Sequence, residues 1–153
     1  MIGLALLAAV APALQPQLQP LAFLAGHCWQ GEVAPGRTDR HCFAVLTDGT
    51  IRDRHVVVER GKRVIAGESV YRWDARLGAI GFTYRDSFGG RLTGVVKSRG
   101  TLLGFGGRYV ASGGQRFANA SRWTRVDATT YRTDTRSAEV PQVNGSTVYR
   151  RVD

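Results

Sequence analysis

LAGHCWQGEVAPGRTDRHCFAVLTDGTIRDRHVVVE, residues 24–59, holds every histidine and every cysteine of the chain. His27-Cys28-Trp29 opens it, His41-Cys42-Phe43 repeats the pattern, and His55 follows. Apolar and polar residues alternate along it, the period of a strand with one face buried. Pro35-Gly36 and Asp48-Gly49 interrupt the alternation as hairpin turn pairs. A turn centred on Pro35 sets Cys28 opposite Cys42 and Trp29 opposite His41. Opposed Cβ atoms lie roughly 4.5–5.5 Å apart, a small adjustment from disulfide geometry. A two-residue turn at Asp48-Gly49 sets Cys42 beside His55 and His41 beside Val56. On that register Cys28, Cys42 and His55 share one face, and Trp29, His41, Phe43 and Arg54 share the other.

The same pattern runs outward to the end of the chain. Strands are expected at 28–33, 38–46, 50–59, 63–74, 78–85, 91–97, 101–110, 115–126, 129–136 and 146–152. Gly-rich or Asn-Gly turns separate most of them, and no long helical period intervenes. Ten sequential strands joined by short turns predict an all-β fold, an antiparallel up-and-down barrel of lipocalin-like type, since closure removes exposed edges. A two-sheet sandwich is the alternative. Leu21 to Ala25 form a short helical turn that Gly26 stops.

Carried through a turn at Gly61-Lys62, the pairing sets Arg54 opposite Ser69. One face then collects Trp29, His41, Phe43, Arg54, Val56, Ser69, Tyr71, Trp73, Ile80, Phe82 and Tyr84. The other collects Gln30, Glu32, Arg40, Asp53, Glu68, Arg72, Asp74 and Arg85. The aromatic face belongs inside, although bulges weaken the register after residue 74. Asp39 is the one carboxylate this register leaves inside, so Arg54 pairs with it or with an anionic ligand.

The chain has 153 residues, 43% hydrophobic and 22% charged, which suits one folded domain. Its net charge is +9, with nineteen Arg against two Lys. The arginines are spread singly, so a nucleic-acid partner is not expected; a basic surface suits an anionic membrane or an acidic small molecule equally. An uninterrupted apolar run from Ile2 to Ala11, followed by small residues at Ala11 and Ala13, reads as a secretory signal peptide. The expected organisation is a signal over 1–13, a linker over 14–20 and a barrel domain over 21–153, periplasmic or secreted. No segment is long and apolar enough to span a bilayer as a helix.

Two chemistries compete for the cysteines. Cys28, Cys42 and His55 form three ligands of a zinc site but lack a fourth. A Cys nucleophile with a His base fits the same spacing. An exported chain oxidises such a pair, and a disulfide cancels both. A Cys28–Cys42 disulfide is therefore expected, with no metal and no cofactor.

FLAGHCWQGEV, DRHCF, DGTIRDRHVV, GESVYRWD and the late SRWTRVD together resemble the calycin-like bacterial families, small exported barrels of lipocalin or fatty-acid-binding-protein type. The resemblance covers residues 21–126. Leu24-x-Gly26, then Trp29-x-Gly31, is also similar to the entry strand of nitrobindin-type haem barrels, one residue longer between Gly26 and Trp29. Those barrels hold haem through a histidine near the C-terminus. This chain has none after His55, so haem binding is not implied.

The functional expectation is a barrel holding a small apolar or amphipathic, lipid-like molecule. Trp29, Phe43, Tyr71, Trp73, Phe82 and Tyr84 form its wall, and Arg54 with His41 orients an acidic head group. The alternatives are an enzyme using His41 with Arg54, and an envelope protein with a filled core. Oligomeric state is not legible in the sequence.

Overall fold

The computed structural model describes residues 11–153. Ten antiparallel strands close into one barrel in which each strand pairs with its neighbours in sequence and β1 pairs with β10. They are β1 (Cys28–Ala34), β2 (Arg37–Val45), β3 (Ile51–Glu59), β4 (Lys62–Asp74) and β5 (Ala79–Asp86), then β6 (Arg91–Arg99), β7 (Leu102–Val110), β8 (Arg116–Arg125), β9 (Thr130–Arg136) and β10 (Gly145–Arg151). Every expected strand is present, with ends shifted by one or two residues. The closed antiparallel barrel is consistent with a calycin-like fold.

The segment ahead of β1 is folded. Pro16–Leu21 is a 3-10 helix whose Leu18 and Leu21 are buried, so residues 14–20 are not a slack linker. The Gln15 N–H donates to the Gly49 carbonyl at 2.9 Å, and the Trp73 N–H donates to the Gln15 side-chain oxygen at 3.3 Å. Leu18, Leu21 and Leu24 join Trp29, Phe43, Ile51, Ile80, Leu103 and Tyr131 in one apolar core. These residues lie where β1, β3, β5, β7 and β9 begin, so the segment plugs that end of the barrel. The signal expected over residues 1–13 lies largely outside the described residues.

β1 and β2 pair as the alternation predicts, with Cys28 opposite Cys42 and Trp29 opposite His41. A disulfide joins the two cysteines. Closing a loop of about fifteen residues stabilises a fold by roughly 3 kcal/mol. The bond fits an oxidising compartment, extracellular or periplasmic. No helix among the described residues is long and apolar enough to cross a membrane.

The next hairpin departs from the expected register. The Leu46 N–H donates to the Thr50 carbonyl at 2.8 Å, closing a three-residue loop in which Gly49 takes φ +79°. This loop replaces the two-residue Asp48-Gly49 turn, and Asp48 fastens it through its carboxylate to the Thr50 N–H and hydroxyl. The pairing shifts by one residue, and a one-residue shift exchanges the two faces of a strand. His41 therefore faces His55, and Cys42 faces Arg54.

The third hairpin turns at Arg60-Gly61, both with positive φ, the geometry of a tight two-residue turn. A bulge between Val57 and Val58 then resets the register so that Asp53 faces Ser69. The second shift offsets the first. Ser69, Tyr71, Ile80 and Phe82 are buried as expected, while on β3 the inward residues are Ile51, Asp53, His55 and Val57.

Candidate functional site

The corrected β3 face brings two carboxylates and two imidazoles together inside the barrel. Asp39 and His41 come from β2, Asp53 and His55 from β3. Alternation points all four the same way, and the His41–His55 pairing stacks the two rings 4.8 Å apart at 15°. The hydrogen bonds form a chain. His41 Nδ1 donates to Asp53 Oδ2 at 2.7 Å and Nε2 donates to Asp39 Oδ2 at 3.0 Å. His55 Nδ1 donates to Asp39 Oδ1 at 2.9 Å, and Nε2 meets the Tyr84 hydroxyl at 2.9 Å. The Tyr149 hydroxyl donates to Asp39 at 3.0 Å.

One glycine makes room for the end of this chain. A Cβ at Gly67 would stand 2.6 Å from His55 Nε2 and 2.4 Å from the Tyr84 ring. Any side chain at position 67 would push the imidazole and the phenol apart.

The electrostatics follow from the geometry. Burial works against a charged His41, but the Asp53 charge and the hydrogen bonds to Asp39 and Asp53 outweigh it and raise the imidazole to about 10. His41 is therefore an imidazolium at neutral pH. Burial likewise opposes ionisation of Asp39, yet its bonds to His41 and His55 hold it well below the usual carboxylate range. Burial first, and then the nearby carboxylates, push the Tyr84 and Tyr149 phenols up, so both remain O–H donors. Asp53 is 2% exposed at its side chain, and its Oδ1 has no hydrogen-bond partner among the described residues. An unsatisfied buried carboxylate oxygen is costly and calls for a partner.

The cluster lines one side of a cavity of about 240 Å³. Tyr71, Phe82, Phe105, Leu92 and Trp123 supply its apolar wall, and Asn119, Ser121, Thr133 and Thr135 add hydroxyl and amide groups. It lies away from the plugged end. A larger depression of about 650 Å³ lies outside β4–β6, between Glu68, Arg72, Arg85 and Arg91. It is a surface groove of mixed charge, whereas the internal cavity gathers the buried ionisable groups, which marks it as the candidate site.

Of the eight residues expected to bind a ligand, His41, Tyr71, Phe82 and Tyr84 line this cavity. Trp29 and Phe43 are buried in the apolar core, and Trp73 packs against it. Arg54 points outward, its side chain 64% exposed, and donates to Glu68 at 2.8 Å. The expectation that it orients an acidic head group, pairs with Asp39 or works with His41 as an interior enzyme site is corrected by the three-residue loop at Thr47–Gly49. Val56 moves to the outer face with it, while Asp53 and His55, expected outside, are inside. The sequence reading also missed Trp123, Ser121, Asn119, Thr133 and Tyr149. Their strict alternation on β8, β9 and β10 was the available signal, but it gave no register.

No protein-family description matches the chain, and no curated protein matches its sequence. What the fold and the site define is a closed ten-stranded barrel, compatible with ligand binding, with a carboxylate–histidine cluster at the wall of its cavity.

Proposed function

We propose that this is an exported, lipocalin-like binding barrel that holds a small amphipathic molecule in its internal cavity. The observation supporting this reading is the cavity itself, with aromatic wall on one side and convergent Asp, His and Tyr groups on the other. Such a mixture is the usual make-up of small-molecule sites. The volume of about 240 Å³ lies under the ~300–1,000 Å³ of drug-sized pockets, so the ligand is small. The polar wall carries Asp39 and Asp53 against the His41 imidazolium, and Arg54 is elsewhere. This favours a cationic or neutral hydrogen-bond-donating head over the acidic one suggested by the sequence.

Phenethylamine and phenylacetate have nearly the same shape and opposite charge, so they test the reading directly. In chelator-treated protein, phenethylamine should shift the emission of Trp123 saturably and phenylacetate should not, with the signal lost in Trp123→Phe. Tighter binding of phenylacetate, or no saturable response to either compound, would overturn it.

A further inference from the structure

We propose that Asp39, His41 and His55 form a site for one first-row divalent transition cation, with Asp53 and Tyr84 aiming the two imidazoles. The ligand atoms of these three residues all lie within 4.8 Å of one another. Metal–nitrogen and metal–oxygen bonds near 2.1 Å bring the ligands of one ion within about 4.2 Å at most. Small side-chain rotations therefore close the site. Two imidazoles and one carboxylate are a common donor set for zinc and for non-haem iron or its neighbours, and three protein ligands leave coordination positions open.

The groups behind the ligands point the same way. Metal-bound histidines nearly always have the second ring nitrogen hydrogen-bonded to a carboxylate or another fixed group. His41 has Nδ1 on Asp53, leaving Nε2 toward Asp39; His55 has Nε2 on Tyr84, leaving Nδ1 toward Asp39. The two rings thus present opposite nitrogens to one carboxylate, and each is fixed from behind. Tyr149 holds that carboxylate in place.

An independent observation is the unpartnered Asp53 Oδ1, buried at the cavity wall. Most buried polar atoms have a partner; this one is a carboxylate oxygen beside the three ligands, and a cation nearby would compensate its charge. Exposures of 13%, 11% and 10% for the His41, His55 and Asp39 side chains keep the ligand atoms reachable from the cavity. A divalent ion would take the place of the two N–H protons that face Asp39: the one on His41 Nε2 would leave to solvent, and the one on His55 Nδ1 would leave to solvent or pass by tautomer exchange to Nε2 against the Tyr84 hydroxyl. A donor atom of a bound molecule could then fill an open position. The metal site goes beyond the ligand-binding reading and does not depend on it.

Zinc titration of the chelator-treated full chain, with the disulfide intact and no organic ligand present, tests the site. Calorimetry should show one Zn²⁺ per chain. His55→Ala should weaken binding by more than ~100-fold and Asp53→Asn by ~10–100-fold, the range for outer-sphere partners. His27→Ala, remote from the cluster, should bind as the parent does. Circular dichroism establishes that each variant is folded, and His55→Gln replaces His55→Ala if the latter is not. Absence of saturable binding, unchanged affinity in the folded His55 variant, or loss of binding in His27→Ala would each overturn the proposal.

Discussion

The two ends of the barrel are built from the same ten strands and the same alternation, yet their interiors are filled differently. At one end the N-terminal segment drives Leu18, Leu21 and Leu24 between Trp29, Ile51 and Tyr131, and the cluster is apolar among the described residues. At the other the interior is occupied by Asp39, His41, Asp53 and His55 with tyrosine hydroxyls, and a cavity remains. The apolar end gains stability from area removed from water. The polar end gains little, because desolvation of the charges offsets much of their attraction. The apolar packing and the buried ionisable groups are therefore assigned to opposite ends of one sheet.

This division can be broken by substitution. Trp29→Ala removes the largest fully buried side chain of the plugged end and should cost about 3–5 kcal/mol in denaturant unfolding. Asp53→Asn keeps the shape at the other end but removes the charge facing His41, and about 2 kcal/mol is expected, below the full cost of stranding a buried ion because the imidazole can lose its proton. Were the second loss larger than the first, the polar cluster would be the true stabilising core. Arg54→Met should move stability by less than about 0.5 kcal/mol, since its partner Glu68 is also solvent-exposed. A larger loss there would return Arg54 to the interior and undo the corrected register.

The sequence made the fold legible because alternation and turn pairs are local signals. The strand count, the disulfide and the inward facing of Trp29, His41, Tyr71, Phe82 and Tyr84 all follow from them. The candidate site was only half legible, for a reason that can be located. Asp48-Gly49 fits both a two-residue turn and a three-residue loop ending in a left-handed glycine, and these differ by one residue of register. That single residue exchanges Arg54 for His55 and Asp53. The choice rests on Asp48 bonding Thr50 and on Gln15 docking on Gly49, the latter a contact between segments more than thirty residues apart. The alternation of β8 to β10 was visible, but which of their residues meets Asp39 depends on the barrel having closed.

That closure has a kinetic consequence. The seam between β1 and β10 is short, with Trp29, Gln30 and Gly31 paired to Arg151, Arg150 and Tyr149. Beside it the Cys28 N–H donates to the Asp153 carboxylate at 2.8 Å and the Val152 N–H donates to the Cys28 carbonyl at 2.9 Å. Every other strand pair joins neighbours in sequence, whereas this one spans a loop roughly eight times longer than the first hairpin and costs about 2 kcal/mol more in closure entropy. During synthesis β1 and β2 can pair and oxidise long before β10 emerges. Until β10 pairs, the sheet keeps two free edges, and this least local pairing is expected to be the slowest to form. Tyr149 arrives with that strand, so the hydrogen bond that fixes Asp39 is set only when the edges disappear.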